Sequence, residues 1–489
     1  MSGAVVRYSP CHGKPCNAHH ALRGARGAVR RFGADERPGA VVRGEQRVRG
    51  DKDEMVTIAN SGHGELYLKE GEALYLVTST NIPACQIGGK TFLLHGHTSS
   101  GEVLKDKITI EHPSSKAKDR AFYTVVKVLL KDVSFLGKGN YTILCDEGHV
   151  AYVAPQWQDN SSPCDGDADD ASDIKYPICY VRNAKMVVSA TLHVEPADIA
   201  IPLHLKGDGV RNMNIDKTRA IISGNIASIS GIESENRFNN AIDFLNPLWI
   251  NWFFSIDGGG TWLYAGKSDN QCYITLSSPK TEILHTTIDI GCRNAIGETL
   301  PDRVVPKIWK EFEDRVVPRI SDGQILVYYR TPYNESCSFD VRGLLSSADG
   351  RCGAWARFFR DCIKVQGISG AVVKQIMPAH DGLQAHSLWV KNQDISKLTL
   401  APPTLPTPLL GIPGQGSGDP SASVFLDHAI VQYGSFIYDP SYGYCFPNLT
   451  KWQQSSLDAV SFVIDGSIVF SVNSGDDWPL CVGFFLEEP

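Results

Sequence analysis

Short apolar runs separated by glycine and charged residues fill the first part of the chain. Residues 73–77, 123–128 and 149–153 are runs of this kind. Short strands that recur between turn residues are typical of β-sandwiches. Residues 55–155 are therefore predicted to form a β-sandwich module, and the polar, acidic segment 156–175 that follows is predicted to be a linker.

A second apolar region covers residues 176–300. Residues 252–255 lead into three glycines at 258–260 and a returning apolar run, a pattern that predicts a β-hairpin. Residues 286–290 are rich in β-branched side chains and predict a further strand. Together with the corner at 292–297, this pattern resembles an immunoglobulin-like β-sandwich module.

The hydrophobic period changes after residue 300. Ile308, Trp309, Phe312 and Val316 recur at helical spacing, and residues 350–366 read as the clearest helix of the chain. Two apolar runs near the C-terminus, 460–464 and 467–472, are predicted strands. Helices followed by strands indicate an α+β domain over 301–489. The predicted fold class is therefore multidomain, with two N-terminal all-β sandwich modules followed by an α+β domain.

Charge separates residues 1–54 from the rest of the chain. Eleven Lys and Arg against six Asp and Glu make this segment basic, whereas the whole chain carries a net charge of −7. A short, basic, glycine-rich segment buries too little surface to fold, so residues 1–54 are predicted to be a disordered tail, with Met55 as an alternative start of translation. The acidic remainder predicts no nucleic-acid partner.

Membrane and metal functions have no support in the sequence. No run approaches the roughly 18 to 20 apolar residues that cross a bilayer, and the N-terminus lacks the apolar block of a secretory signal. We therefore expect no membrane partner and a cytoplasmic location by default, with export left open. The thirteen cysteines contain no C-x2-C pair, so we expect no metal site and no cofactor.

Cys352 begins the predicted helix between two glycines, Gly350 and Gly353. A thiol near pKa 8.5 is mostly protonated at neutral pH, whereas the N–H groups and partial positive charge of a helix N-terminus favour the thiolate. The same N–H groups can hold an oxyanion. Cys352 is therefore the candidate nucleophile.

A thiolate nucleophile needs an imidazole and a group that orients the imidazole. His428 lies at the start of a predicted strand, and Asp439 follows the strand that returns after the turn Gly434-Ser435. In a hairpin with this turn, Asp439 can reach the ring of His428. The sequence thus predicts a Cys352–His428–Asp439 triad.

The order Gly-x-Cys-Gly at a helix start, then x-His-Ala-x-Val, then Tyr-Asp-Pro-x-x-Gly resembles the transglutaminase-like superfamily over residues 330–445. That group includes transglutaminases, peptide N-glycanases and bacterial cysteine peptidases. The resemblance implies a papain-like fold in which Cys352 is the nucleophile, His428 the general base and then acid, and Asp439 the orienting carboxylate. Ser346 stands where papain-like enzymes carry an oxyanion-stabilising Gln, so Gln415 is the candidate oxyanion donor.

Two classes of function follow from these residues. The first is a thiol-dependent acyl-transfer enzyme, either a cysteine peptidase or amidase or a transglutaminase, whose partner is a protein or peptide substrate. Hydrolysis is favoured because nothing in the sequence indicates a lysine-binding tunnel. The alternative is a catalytically inactive transglutaminase-like scaffold whose β-sandwich modules bind a partner. The sequence leaves the oligomeric state and the substrate open.

Overall fold

The structure is a computed structural model that describes the chain from residue 46 to residue 488, with gaps. The described residues are 46–49, 55–58, 73–78, 90–97, 103–110, 124–147, 151–152, 156–158, 174–195, 197, 202–256, 258–330, 337–379, 384–390, 410–416, 420–422, 424–425, 427–464 and 467–488. Most of the predicted tail 1–54 and of the predicted acidic linker lies outside them.

The chain is rich in β-structure, contains several sheets and divides into two compact units. The first unit comprises residues 1–128 with 261–263, and the second comprises 129–260 with 264–489. The predicted module boundaries near residues 155 and 300 do not coincide with this division.

The first unit consists of strands in the described residues. Its strands are Gln46–Arg49 (β1), Met55–Ile58 (β2), Ala73–Thr78 (β3), Lys90–His97 (β4), Val103–Ile110 (β5) and the first residues of Thr124–Leu136 (β6). Strands β1 and β2 pair with each other, so the end of the predicted disordered tail is a strand. Strand β4 lies antiparallel between β3 and β5, and β3 runs parallel to the start of β6.

The second unit begins with a long series of strands. They are Asn140–Tyr141 (β7), Gln156–Gln158 (β8), Ile174–Lys175 (β9), Ile178–Val181 (β10), Lys185–Glu195 (β11), His204–Gly209 (β12), Ile215–Arg219 (β13), Ile221–Ser223 (β14), Ile226–Arg237 (β15), Asp243–Ser255 (β16) and Leu263–Thr275 (β17). A single-turn 3₁₀ helix lies at Val210–Asn212. The hydrogen-bonded order is β6–β11–β15–β13–β12–β16–β17–β10–β7. Neighbouring β16 and β17 form the hairpin predicted around the three glycines.

The strand predicted at 286–290 is wrong, because these residues lie in helix α1, His285–Arg293. Every residue from 285 to 292 is buried. A helix that is covered on all sides shows no polar stripe, so the amphipathic pattern that identifies surface helices is missing. The β-branched side chains then favoured a strand on propensity alone.

Hydrogen bonds fasten α1 to two tyrosines that precede it in the chain. His285 Nδ1 lies 3.0 Å from the Tyr152 hydroxyl, and Nε2 lies 3.1 Å from the Tyr273 hydroxyl. The Tyr273 hydroxyl donates to Asp289 Oδ1 at 3.2 Å, so its oxygen accepts from Nε2–H. In the neutral imidazole that burial favours, Nδ1 accepts from the Tyr152 hydroxyl. Burial lowers the pKa of His285 to about 4, against the opposing effect of Asp289.

Four more helices lie in the described part of the second unit. They are Pro301–Glu313 (α2), Val341–Ser347 (α3), Cys352–Lys364 (α4) and Leu449–Ser456 (α5). Ile308, Trp309 and Phe312 are buried on α2 as predicted, whereas Val316 lies beyond the helix end and is exposed. One hydrophobic core joins α1, α2, α3 and α4.

Further strands surround these helices. They are Val327–Tyr328 (β18), Asp349–Gly350 (β19), Val372–Pro378 (β20), Gln384–Val390 (β21), Leu410–Pro413 (β22), Pro420–Ala422 (β23), Val424–Phe425 (β24), His428–Tyr433 (β25), Phe436–Asp439 (β26), Tyr444–Phe446 (β27), Leu457–Ile464 (β28), Ser467–Val472 (β29) and Val482–Glu488 (β30). A 3₁₀ turn lies at Gly475–Asp477. The sheet β27–β26–β25–β20–β30 borders a second sheet of order β24–β21–β28–β29.

Strand β25 separates two hydrophobic cores. Ala429 and Val431 belong to the core that contains α4, whereas Ile430 belongs to a core with Trp452 of α5. This alternation is the period of a strand buried on both faces. The start of β25 therefore lies between the core that contains α4 and the core that contains α5.

Candidate active site

Helix α4 places Cys352 at its first residue. Arg351 before it is extended, with φ −78° and ψ 173°, and no side chain caps the helix. The first backbone hydrogen bond of the helix runs from Trp355 N–H to the Arg351 carbonyl at 3.1 Å. The N–H groups of Cys352 and the next two residues thus have no acceptor within the helix. The Cys352 side chain is 7% exposed.

The backbone before Cys352 is fixed by a short parallel pair of strands. Strand β19 pairs with β18, Gly350 lying opposite Tyr328. The Arg351 N–H also donates to the Ser338 carbonyl at 2.8 Å. A Cβ atom at position 350 would lie 2.8 Å from Leu344 Cδ1 and 3.1 Å from Ala354 Cβ, so this strand packs closely against α3 and α4. These contacts determine where α4 starts and where its thiol lies.

His428 begins β25 and is 2% exposed. Its ring lies 5.7 Å from the ring centroids of both Phe425 and Tyr442 and stacks on Trp452 at 6.0 Å, with 12° between the planes. Three aromatic neighbours leave the imidazole little freedom to rotate. The prediction that His428 lies in a hairpin with Asp439 agrees with the observed antiparallel pairing of β25 and β26.

Asp439 is the last residue of β26, and its carboxylate accepts a hydrogen bond from the His428 imidazole. Both carboxylate oxygens lie 3.0 Å from His428 Nε2. Trp452 Nε1 donates to Asp439 Oδ2, also at 3.0 Å. Asp439 is 2% exposed. The carboxylate thus accepts from His428 and from Trp452, and it orients the other ring nitrogen of His428, Nδ1, away from itself.

The electrostatic environment favours the charged form of His428. Burial opposes the imidazolium, but the Asp439 carboxylate and then Cys352 raise the pKa of His428 to about 10. Nδ1 is buried and makes no hydrogen bond of normal geometry with the described residues. Cys352 thus lies close enough to His428 to raise its pKa, as Asp439 does. A buried cysteine and histidine arranged in this way can form a thiolate–imidazolium pair.

Sequence reasoning missed two side chains of this site. Trp452 lies on α5, 24 residues after His428 in the chain, and no local pattern connects the two. Tyr328 is fully buried, its hydroxyl has no hydrogen-bond partner among the described residues, and its ring packs edge-on against Tyr442 at 5.3 Å. Burial raises the pKa of Tyr328 well above its ordinary value, with contributions from Tyr442 and Cys352. Tyr328 is therefore a protonated hydroxyl near the thiol.

Gln415, the predicted oxyanion donor, is fully buried in the same unit. Its side-chain Nε2 donates to the Phe312 carbonyl at 2.8 Å, and its backbone carbonyl accepts from Tyr328 N–H at 2.8 Å. The amide thus connects the end of α2 to β18. Ser346 Oγ donates to the Gly343 carbonyl within α3. The role of Gln415 as an oxyanion donor stays a prediction, and the contacts observed for Gln415 support β18.

Comparisons with known proteins add no assignment to this geometry. No protein-family model matches the chain, and a search of curated proteins finds no match. Among the described residues no group of three or more His, Cys, Asp or Glu side chains could hold a metal ion. No helix in the same residues is both long and apolar enough to cross a membrane.

Proposed function

We propose that this protein is a thiol-dependent acyl-transfer enzyme that acts on an amide of a protein or peptide through a thioester at Cys352. The supporting observation is the buried His428, which Asp439 holds at Nε2 and whose pKa both Asp439 and Cys352 raise. Such a pair keeps a thiol ionised at neutral pH. A transglutaminase-like identity for residues 301–489 is part of the same proposal.

The reaction follows from the position of each group. The Cys352 sulfur attacks the amide carbonyl, and the carbonyl electron pair moves onto oxygen. The N–H groups at the start of α4 lie where they can stabilise that oxyanion. His428 Nδ1–H then gives its proton to the departing amine as the C–N bond breaks, which leaves a thioester and a neutral imidazole.

The second half of the reaction reverses these roles. His428 Nδ1 takes a proton from water or from an amine, which attacks the thioester carbonyl. Collapse of the second oxyanion expels the Cys352 thiolate and restores the pair. Water gives hydrolysis by a cysteine peptidase or amidase, whereas an amine gives the cross-link of a transglutaminase. Asp439 keeps its charge throughout and stabilises the imidazolium.

The pH dependence of Cys352 alkylation by iodoacetamide, read by mass spectrometry, tests the proposal. We expect Cys352 to react below pH 7, at least about tenfold faster at pH 6 than an ordinary thiol. Cys445 is an internal reference that should stay slow over this pH range, because partial desolvation of its sulfur raises the pKa of Cys445 to about 11. In His428→Ala the Cys352 profile should move to above about pH 8.

A second measurement distinguishes hydrolysis of the thioester from its transfer to an amine. Wild type and Cys352→Ala are incubated with casein, with and without a fluorescent primary amine. Peptide release indicates hydrolysis, and amine incorporation indicates transamidation. Cys352 reacting only at alkaline pH in both wild type and His428→Ala would contradict the proposed enzyme and favour the scaffold alternative.

A further inference from the structure

An exposed aromatic side chain lies beside the candidate nucleophile. Phe339 is 53% exposed and lies two residues before helix α3. A Cβ atom at position 353 would lie 2.8 Å from its ring. Gly353 directly follows Cys352, so the ring of Phe339 covers the backbone next to the thiol. An apolar ring left in water at this point is available to an apolar group of a substrate.

Arg357 holds this ring in place. Its guanidinium carbon lies 4.4 Å from the Phe339 ring centroid, and Nη1 donates to the Phe339 carbonyl at 2.9 Å. Arg357 lies one helical turn after Gly353 on α4, so the helix that carries the nucleophile also fixes the ring. The guanidinium covers one face of the ring and stabilises it there. The rest of the ring is free to contact another apolar group.

We propose that Phe339 is a specificity-determining residue that binds an aromatic side chain of the peptide substrate next to the amide attacked by Cys352. This inference rests on the proposed acyl-transfer function. Ring-to-ring packing gains more than the apolar area it buries, so an aromatic side chain is favoured over an aliphatic one of similar size. Gly353 leaves room for this contact, because any side chain there would push the ring aside.

Peptide chloromethyl ketones test the inference on the full chain. The probes carry phenylalanine or alanine at either of the two residues before the ketone, and the alkylation rate of Cys352 is measured by mass spectrometry. At one of the two positions we expect the phenylalanine probe to react about tenfold faster than its alanine partner. In Phe339→Ala this ratio should fall to about two or below, whereas Phe339→Tyr should keep it.

Two controls make the outcome specific. Phe436 is 49% exposed and lies on β26 at the hairpin turn, so Phe436→Ala removes an equally exposed ring at another place and should keep the wild-type ratio. Iodoacetamide reports the intrinsic reactivity of the thiol in each variant. Equal ratios in wild type and Phe339→Ala, with an activated Cys352, would overturn the inference alone. An ordinary Cys352 that does not respond to His428→Ala would overturn the proposed function as well.

Discussion

At the scale of single residues, the charge of His428 depends on the carboxylate of Asp439, which a second buried side chain, Trp452, holds in place. Asp439 accepts from His428 Nε2 on one side and from Trp452 Nε1 on the other. The two contacts fix the position of the buried carboxylate beside the imidazole ring. Trp452 is thus a positioning residue that acts through Asp439.

Trp452→Phe tests this role, because phenylalanine keeps an aromatic ring against His428 but removes the N–H donor. Loss of a hydrogen bond to a buried charge costs about 1.5–3 kcal/mol, part of which is lost from the thiolate–imidazolium pair. We expect the midpoint of Cys352 alkylation to rise by about half a pH unit, so that alkylation at pH 6 slows by up to about threefold. Mass spectrometry of the alkylated protein over a pH series measures both.

Trp309→Phe is the matched control. Trp309 is also buried, and its Nε1 has no hydrogen-bond partner among the described residues, so this variant loses a similar volume without losing a hydrogen bond. Its alkylation midpoint should stay at the wild-type value even if the protein is less stable. A midpoint that shifts equally in both variants would show that packing, not the indole N–H, matters.

At the scale of elements, α1 is fastened by a neutral histidine. His285 has a pKa of about 4 in the folded protein, against an ordinary value of 6.5, because burial disfavours its charged form. The unfolded chain therefore binds more protons between these values, and the folded state loses stability as the pH falls from 6.5 to 4. The contribution is about 3 kcal/mol over that window.

His285→Gln should remove this acid sensitivity, since glutamine can donate and accept hydrogen bonds but does not titrate. We expect the difference in unfolding free energy between about pH 6.5 and pH 4 to shrink by about 2–3 kcal/mol in the variant. Urea unfolding at a series of pH values measures it. His428 acts in the opposite direction: its raised pKa stabilises the folded state below pH 6.5, and that contribution is lost as the pH rises towards about 10.

The elements also differ in how far the sequence predicted them. Helix α4 lies within residues 350–366, where a helix was predicted, and its Trp355, Phe358, Phe359 and Cys362 are buried at helical spacing. The β25–β26 hairpin turns at Gly434, whose φ is +60°, a conformation that glycine adopts without strain. Helix α1 was predicted as a strand because its residues are buried on all sides, which hides the helical period.

At the scale of the molecule, all described contacts of the triad lie in the second unit, which contains residues 129–260 and 264–489. A chain of residues 120–489 should therefore keep the Cys352 alkylation rate at pH 6 within about twofold of the full chain, as expected of a unit with its own core. The measurement is alkylation of both proteins side by side. A folded shorter chain with an ordinary Cys352 would show that the first unit is needed for the site.

The sequence alone determined the features that depend on neighbours in the chain: the helix that begins at Cys352, the hairpin, and the order in which the three candidate catalytic residues occur. These follow from periodicity, turn chemistry and helix ends, which act over a few residues. Only the tertiary structure decided that Trp452, Tyr442 and Phe425 surround His428, and that the unit boundary lies near residue 128. Packing between distant segments leaves no local period in the sequence, because it is set by which surfaces exclude water together.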